Sequence, residues 1–324
     1  MKFAVLRRPR TQAILDGRLK LKSFLVDWHP ISEPLNWLPP FKERRHGILS
    51  GQFDAGEMSI SSFMQAKAQG APLLALPIFL KRGLVQRCLF CSVDSALTSP
   101  AQLVGKRVGL VGYSSSMAVW MRGILSQVYG FSRSAPLWVT LTAPSQKAQV
   151  ATQLLEIPEK FSDEQMQAWE ELDGYPHNLD RRERFLVSLL EKEELNAVVS
   201  FHPKIASPRI RPLLGGEDEL WCHYQSNGVY PINHLFVIRE ELCGGFPNII
   251  DELVTFFKKS RECWVDYLPA EKRATMEREV AKLSWDPFAY RLGDTERQTL
   301  ETFIGYLVEE NLISQKLSVD QLFV

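Results

Sequence analysis

The sequence predicts an α/β protein of two domains, on three observations. Strand-like apolar runs alternate with helix-like stretches. The 324 residues exceed what one small core usually holds. A strand end running into a helix occurs twice, around Phe53-Asp54-Ala55 and around Leu195-Asn196-Ala197, as two similar lobes would require.

The elements follow in order. Ser23 to Trp28 reads as a strand. Asp54 to Met58 reads as a short strand end, followed by a helix from Ile60 to Gln69. Leu73 to Phe79 is a buried strand, Arg87 to Val93 an apolar strand-like run, and Lys106 to Val111 a strand between Gly105 and Gly112. Met117, Trp120, Met121, Ile124, Leu125 and Val128 recur at helical spacing. Lys147 to Glu194 is polar and charged, with a helix predicted from Arg181 to Lys192 and a break at Gly174-Tyr175-Pro176. Asn196 to Phe201 and Leu235 to Ile238 are strands. Helices are predicted over Ile249 to Lys259, Ala270 to Lys282 and Asp294 to Glu310. Segments Cys88 to Val93 and His234 to Ile238 are the expected crossings between lobes. The first lobe is then residues 1–92 plus 232–324, and the second is 93–231, with ligand expected between them.

Composition narrows the function classes. Lys and Arg number 38, as do Asp and Glu, so no net charge favours nucleic acid or an anionic membrane. Only Phe3 to Leu6 are apolar before Arg7 and Arg8, short of a secretory signal, and Ala71 to Leu80 is too short to span a bilayer. A cytoplasmic location is expected. Five cysteines argue against a full disulfide framework, and Cys88 and Cys91 lack a second C-x-x-C for a zinc site. No H-E-x-x-H or Walker A pattern occurs.

Three stretches are candidates for chemistry. In Glu57-Met58-Ser59-Ile60-Ser61-Ser62, a carboxylate precedes a helix start rich in hydroxyls. Free N–H groups there attract anions, though ordinary capping explains the same residues. Tyr113-Ser114-Ser115 has the same logic before the helix from Met117, in which Arg122 is read as structural. In Gly228 to His234, Pro231 sets a turn before a strand, and Tyr230 and His234 are placed to face a ligand. Histidine is the side chain best suited to proton transfer near neutral pH, and His202 is the corresponding candidate on the other lobe.

Taken together these stretches resemble the 4,5-dihydroxyphthalate decarboxylase family. The resemblance runs through Asp16-Gly17-Arg18, Phe53 to Phe63, Ala75-Leu76-Pro77, Leu103 to Gly109, Tyr113-Ser114-Ser115, Trp120 to Leu125, Gly228 to His234 and Asp286 to Tyr290. It implies a type II periplasmic-binding-protein-like fold, with mixed sheets flanked by helices. It also implies cofactor-independent loss of carbon dioxide from a hydroxylated aromatic acid. Departures stand at Val85-Gln86-Arg87, where the family has Arg-His-Ser, and at Gln225-Ser226-Asn227, where it has Arg-Arg-Thr. Arg7 and Pro9 replace acidic residues, whereas Arg10 and Thr11 remain.

The expected site follows. Glu57 or His234 handles the proton. Ser59, Ser61, Ser62, Tyr113, Ser114, Ser115 and His202 bind the substrate, Tyr230 flanks its ring, and Arg82 or Arg87 supplies a cation. The expected partner is a small aromatic carboxylate, with no metal, cofactor, nucleic acid or membrane, and self-association is left open. A non-catalytic binding protein and a lyase acting on a cyclic carboxylic acid are the alternatives.

Overall fold

A computed structural model describes residues 1–31, 47–141, 152–156, 181–200, 208–246 and 248–324. Contacts divide the chain into two units. The first holds Met1–Gly83, Tyr230–Gly305 and Ile313–Val324, and the second holds Leu84–Val229 and Tyr306–Leu312. The expected crossing strands lie inside these units: the chain changes unit at Gly83/Leu84 and Val229/Tyr230, and again at Gly305/Tyr306 and Leu312/Ile313.

The first unit is built on β1 (Lys2–Leu6), α1 (Pro9–Leu15), β2 (Asp27–Ile31), β3 (Ala55–Ser59), α2 (Ile60–Ala68) and β4 (Leu73–Arg82). The strand expected from Ser23 begins only at Asp27, and β1 is a strand that its short apolar run did not announce. The remaining strand of this sheet is β11 (Ile232–Arg239), and the sheet order is β2-β1-β3-β11-β4. β1 runs parallel to β2 and β3, whereas β11 is antiparallel to β3 and β4. β11 is buried from Ile232 to Ile238, so it is central and continuously apolar except at Asn233 and His234. β4 is an edge strand, which is where Pro77, lacking an N–H, is tolerated. The pairing steps from Phe236↔Leu76 to His234↔Lys81, so extra β4 residues bulge past Pro77 just beside His234.

Helix Ile249–Glu262 covers this sheet with Ile249, Leu253, Phe256 and Phe257, an i, i+4, i+7, i+8 stripe. Phe257 lies 5.0 Å from the Phe236 ring, and Phe3 lies 5.9 Å from it. Arg82, at the end of β4, is fully buried. It donates to Glu296 Oε1 (3.0 Å) and to the carbonyls of Tyr230 (3.0 Å) and Pro287 (3.2 Å).

The second unit contains β5 (Leu89–Ser92), β6 (Arg107–Leu110), α3 (Ser116–Tyr129), β7 (Leu137–Thr140), β8 (Thr152–Leu154), α4 (Arg181–Glu191), β9 (Ala197–Val199), β10 (Ile210–Pro212) and α5 (Glu217–Asn227). Their sheet order is β10-β5-β9-β6-β7-β8. β5 was expected to close the first lobe, but it is a strand of this sheet, paired with β9 and β10. β9, β6, β7 and β8 are parallel, and Val139, Leu186, Leu190 and Val198 pack between sheet and α4. The break at Gly174-Tyr175-Pro176 lies outside the described residues.

α3 is buried over most of its length and ends at Gly130, whose φ of 69° closes the helix. Arg122, within it, has no exposed side-chain surface and donates from Nε to both oxygens of Glu310 at 3.1 Å. The structural role expected of Arg122 is what this contact describes. Gly123 lies against Tyr306: a Cβ there would come within 2.1 Å of the ring. Gly123→Ala is therefore expected to destabilise by about 1–3 kcal/mol through overpacking, and Tyr306→Leu in the same chain to recover part of it. Glu310→Gln should destabilise by about 3–5 kcal/mol, because it leaves the Arg122 charge buried and unpaired. Urea unfolding of the three variants checks both.

Candidate functional site

The sequence places an acidic residue inside β3, a strand with no exposed residue before Ser59. Glu57 has no accessible surface, so its charge depends on what the neighbouring strands supply. Three donors converge on it. The Leu6 N–H, at the end of β1, donates to Oε2 at 3.2 Å. Arg8 donates from Nη2 to Oε1 at 2.9 Å. His234, opposite β3 on β11, brings Nδ1 to 2.6 Å from the same oxygen.

Arg8 is delivered by the start of α1. It is the N-cap residue, Pro9 takes the first helical position, and the Arg8 N–H donates to Thr11 Oγ1 at 3.0 Å. The buried Thr11 hydroxyl in turn donates to the Leu6 carbonyl, so strand end and helix start are locked together. His234 is delivered by the register of β11, which sets it across from Ser59, two residues along β3 from Glu57.

These distances fix the protonation pattern. Burial by itself would raise the Glu57 pKa, but the Arg8 charge and the hydrogen bonds from His234 and Arg8 hold it down at about 2. Burial lowers the His234 pKa to about 4; the Glu57 contact opposes this, and the charges of Arg8 and Lys81 add to it. Arg8 already compensates the carboxylate, so the imidazole gains little from becoming charged. A neutral imidazole 2.6 Å from an ionised carboxylate must carry its hydrogen on Nδ1. The 3.2 Å approach of Arg8 Nη2 to Nδ1 is then two donors converging on Glu57 rather than a bond between them. That leaves a lone pair on Nε2, and no described residue pairs with it. The His234 side chain keeps 11% of its surface open.

The other expected residues divide sharply. Ser59 and Ser62 are half-buried and cap α2: the Ser59 hydroxyl donates to Ser62 Oγ at 2.8 Å and accepts from the Ser62 N–H at 3.3 Å. Ser115 caps α3 in the same way, accepting from the Ala118 N–H. Ser61 is a correction. It is fully buried and takes the Gln65 amide at 2.9 Å, because it falls on the inward face of α2. Tyr230 is buried too: its ring lies against Trp285 and its hydroxyl donates to Glu279 at 3.1 Å, both within the first unit. Arg82 is a third, since its guanidinium serves Glu296 and two carbonyls inside the first unit.

Tyr113, expected at a cradle, is buried beneath Arg122, whose guanidinium carbon lies 3.6 Å from its ring centroid. Burial raises its pKa to about 12. Ser114 and Arg87 are half-buried residues of the second unit. Gln86, where the family has His, is buried and donates to the Leu220 carbonyl at 3.2 Å. His202 lies outside the described residues. Glu57, read from the sequence as an acid or base, has no accessible surface; among the described residues its carboxylate meets Arg8, His234 and the Leu6 amide. Arg8 was missed altogether. Its signal is slight: a basic residue between an apolar run and a helix-starting Pro.

No protein-family model matches the chain. It is 26% identical over 222 residues to 4,5-dihydroxyphthalate decarboxylase of Comamonas testosteroni, covering 65% of this chain and 62% of that protein. It is 32% identical over 100 residues to the protein of the same name from Pseudomonas putida, covering 31% of this chain and 37% of that one. The matched stretch is thus less than two thirds of either relative's length. Among solved structures, the periplasmic aliphatic sulphonate binding protein SsuA of Escherichia coli superposes with a TM-score of 0.57 at 12% identity, over 100% of this chain and 91% of that one. At that identity the likeness shows the fold alone, which is periplasmic-binding-protein-like.

Acid should weaken this protein through its buried imidazoles. An unfolded histidine is half-protonated near pH 6.5, but His234 only near pH 4, and His223 is likewise lowered to about 4 by burial. Between those values the unfolded chain binds more protons, so stability falls as pH is lowered. The Glu57 contribution is present above pH 4.5 and is lost below it, towards pH 2. The melting temperature should therefore drop between about pH 6.5 and 4, and a variant with His223→Gln and His234→Gln should lose most of that slope. A flat wild-type profile would contradict neutral buried imidazoles.

Proposed function

We propose, for a chain that is related to the 4,5-dihydroxyphthalate decarboxylase family, that it removes carbon dioxide from a hydroxylated aromatic carboxylic acid without a cofactor. The observation that carries this reading is the buried Arg8–Glu57–His234 array, which holds a neutral imidazole with a free Nε2. Non-oxidative decarboxylation of a phenolic acid needs a base for the hydroxyl and a proton for the ring. His234 Nε2 accepts the phenolic proton. The phenolate pushes electrons onto the carbon bearing the carboxylate. That carbon takes a proton, for which the new imidazolium is the source. The carbon–carbon bond then breaks, its electron pair restores the aromatic ring, and carbon dioxide leaves.

Glu57 acts through His234. Its ionised carboxylate selects the Nδ1–H tautomer and stabilises the imidazolium while it exists. Arg8 keeps that carboxylate ionised. Glu57 and Arg8 are therefore positioning residues, and His234 is the catalytic one.

The test is carbon dioxide release from a panel of hydroxylated aromatic mono- and diacids with nothing else added. One member should release it, and His234→Ala should lower the rate by about 10²–10⁴-fold, the usual share of a general acid–base group. Glu57→Gln should lower kcat and shift the acid limb of the pH–rate profile to lower pH, since the imidazolium loses its counter-charge. A limb that stays in place would leave Glu57 with a purely structural role. Tight binding of one acid, recovered unchanged, would favour a non-catalytic binding protein, the activity named for the sulphonate-binding structure of the same fold.

A further inference from the structure

The first unit contains a second set of polar groups that the Arg8–Glu57–His234 array does not use. Arg10 lies in the first turn of α1, two residues beyond Arg8. Its guanidinium carbon sits 3.4 Å from the Phe288 ring centroid and 5.5 Å from that of Trp264. Its hydrogen bonds are slight: Nη1 to the Leu80 carbonyl at 3.3 Å and Nη2 to the Met276 sulfur at 4.0 Å. Nε is buried with no partner. Among the described residues no carboxylate pairs with Arg10, whereas Arg8, Arg82, Arg122, Arg133 and Arg261 each meet one.

Two residues past Phe288 stands Tyr290. Its side chain is 1% exposed and its hydroxyl has no partner. Its φ of 49° lies in the left-handed region, where a tyrosine is strained, and such strain gathers at functional sites. Burial raises the Tyr290 hydroxyl to a pKa of about 12, which the Arg10 charge opposes. Burial lowers Arg10 to a pKa of about 10, with Arg8 and Arg261 adding to the effect, so the cation is held without compensation. A half-buried cation without a carboxylate, stacked on Phe288, and a buried hydroxyl without a partner two residues further along that segment both lack one thing, an acceptor that carries negative charge. Aromatic walls around the guanidinium leave its edge as the face for that acceptor.

We propose that Arg10 and the Tyr290 hydroxyl together bind a carboxylate of the ligand. The aromatic rings of Phe288 and Trp264 orient the guanidinium for a planar, two-oxygen contact. This deepens the decarboxylase reading by naming its substrate anchor, and it rests on that reading only for which carboxylate is held. Arg10, like Arg8 and His234, is only partly buried.

Calorimetric titration of the full chain with phthalate, which has the carboxylates but no phenol, tests the site apart from turnover. Wild type should bind it. Tyr290→Phe should weaken binding about tenfold, the order of one charge-assisted hydrogen bond, with the melting temperature unchanged or raised, since an unsatisfied buried hydroxyl is removed. Arg10→Gln should weaken it further. Tyr290→Phe and Arg10→Gln that bind as wild type overturn the proposal, and so does a wild type that binds no phthalate. Arg10-dependent phthalate binding without carbon dioxide release from any acid keeps this site and removes the decarboxylase reading. Carbon dioxide release unaffected by either substitution does the reverse.

Discussion

The negative charge of Glu57, buried without exposed surface in the middle of a sheet, is the constraint on which the rest of the first unit depends. An isolated carboxylate there would cost many kcal/mol or else take up a proton. It does neither, because β1 ends in a free N–H, α1 begins with an arginine and β11 presents a histidine. Leu6 and Arg8 come from one junction near the N-terminus, and His234 from a strand far along the chain. The packing of β1, β3 and β11 side by side is thus also the assembly of the site. The locked junction at Leu6, Arg8 and Thr11 follows from the same need, since a floppy Arg8 could not keep the carboxylate ionised.

Buried arginines recur as organising groups, with opposite outcomes. Arg82 and Arg122 each find a buried glutamate, and such pairs hold a fold in one arrangement more than they stabilise it. In the first unit Arg82 gathers Glu296, Tyr230 and Pro287, fixing the turn that precedes β11 and hence the height of His234 in the sheet. In the second, Arg122 fastens α3 to Glu310, beside the close approach of Gly123 to Tyr306. Arg10 differs from these two, with aromatic neighbours and no carboxylate among the described residues.

Much of the architecture was legible in local pattern. The junction of β3 and α2 follows from an apolar strand ending in a serine cap, and it lies within a residue of the expected place. α3 follows from apolar spacing and its closing glycine, and the helices from Ile249, Ala270 and Asp294 lie where their periodicity put them. Short strands were harder. β1 has five residues and β7 four, too few for alternation to declare itself, and both are strands because neighbouring strands complete their hydrogen bonds. β5 looked like a crossing because nothing local distinguishes a strand that joins the sheet of its own lobe from one that joins the other.

By itself, then, the sequence determined the α/β class, the periodic helices, the strand-to-helix caps and the interest of Glu57 and His234, because these rest on spacing, on capping chemistry and on rare polar residues in apolar runs. Only the tertiary structure decided their roles. That Glu57 is sealed from solvent, that Arg8 holds it ionised, that Nδ1 rather than Nε2 of His234 carries the hydrogen, and that Ser61, Tyr230 and Arg82 face inward all depend on register and burial. A one-residue shift of β11 would turn His234 to the other side of the sheet and leave Glu57 without its partner. Distances between residues far apart in the chain set charge states, and no local pattern contains them.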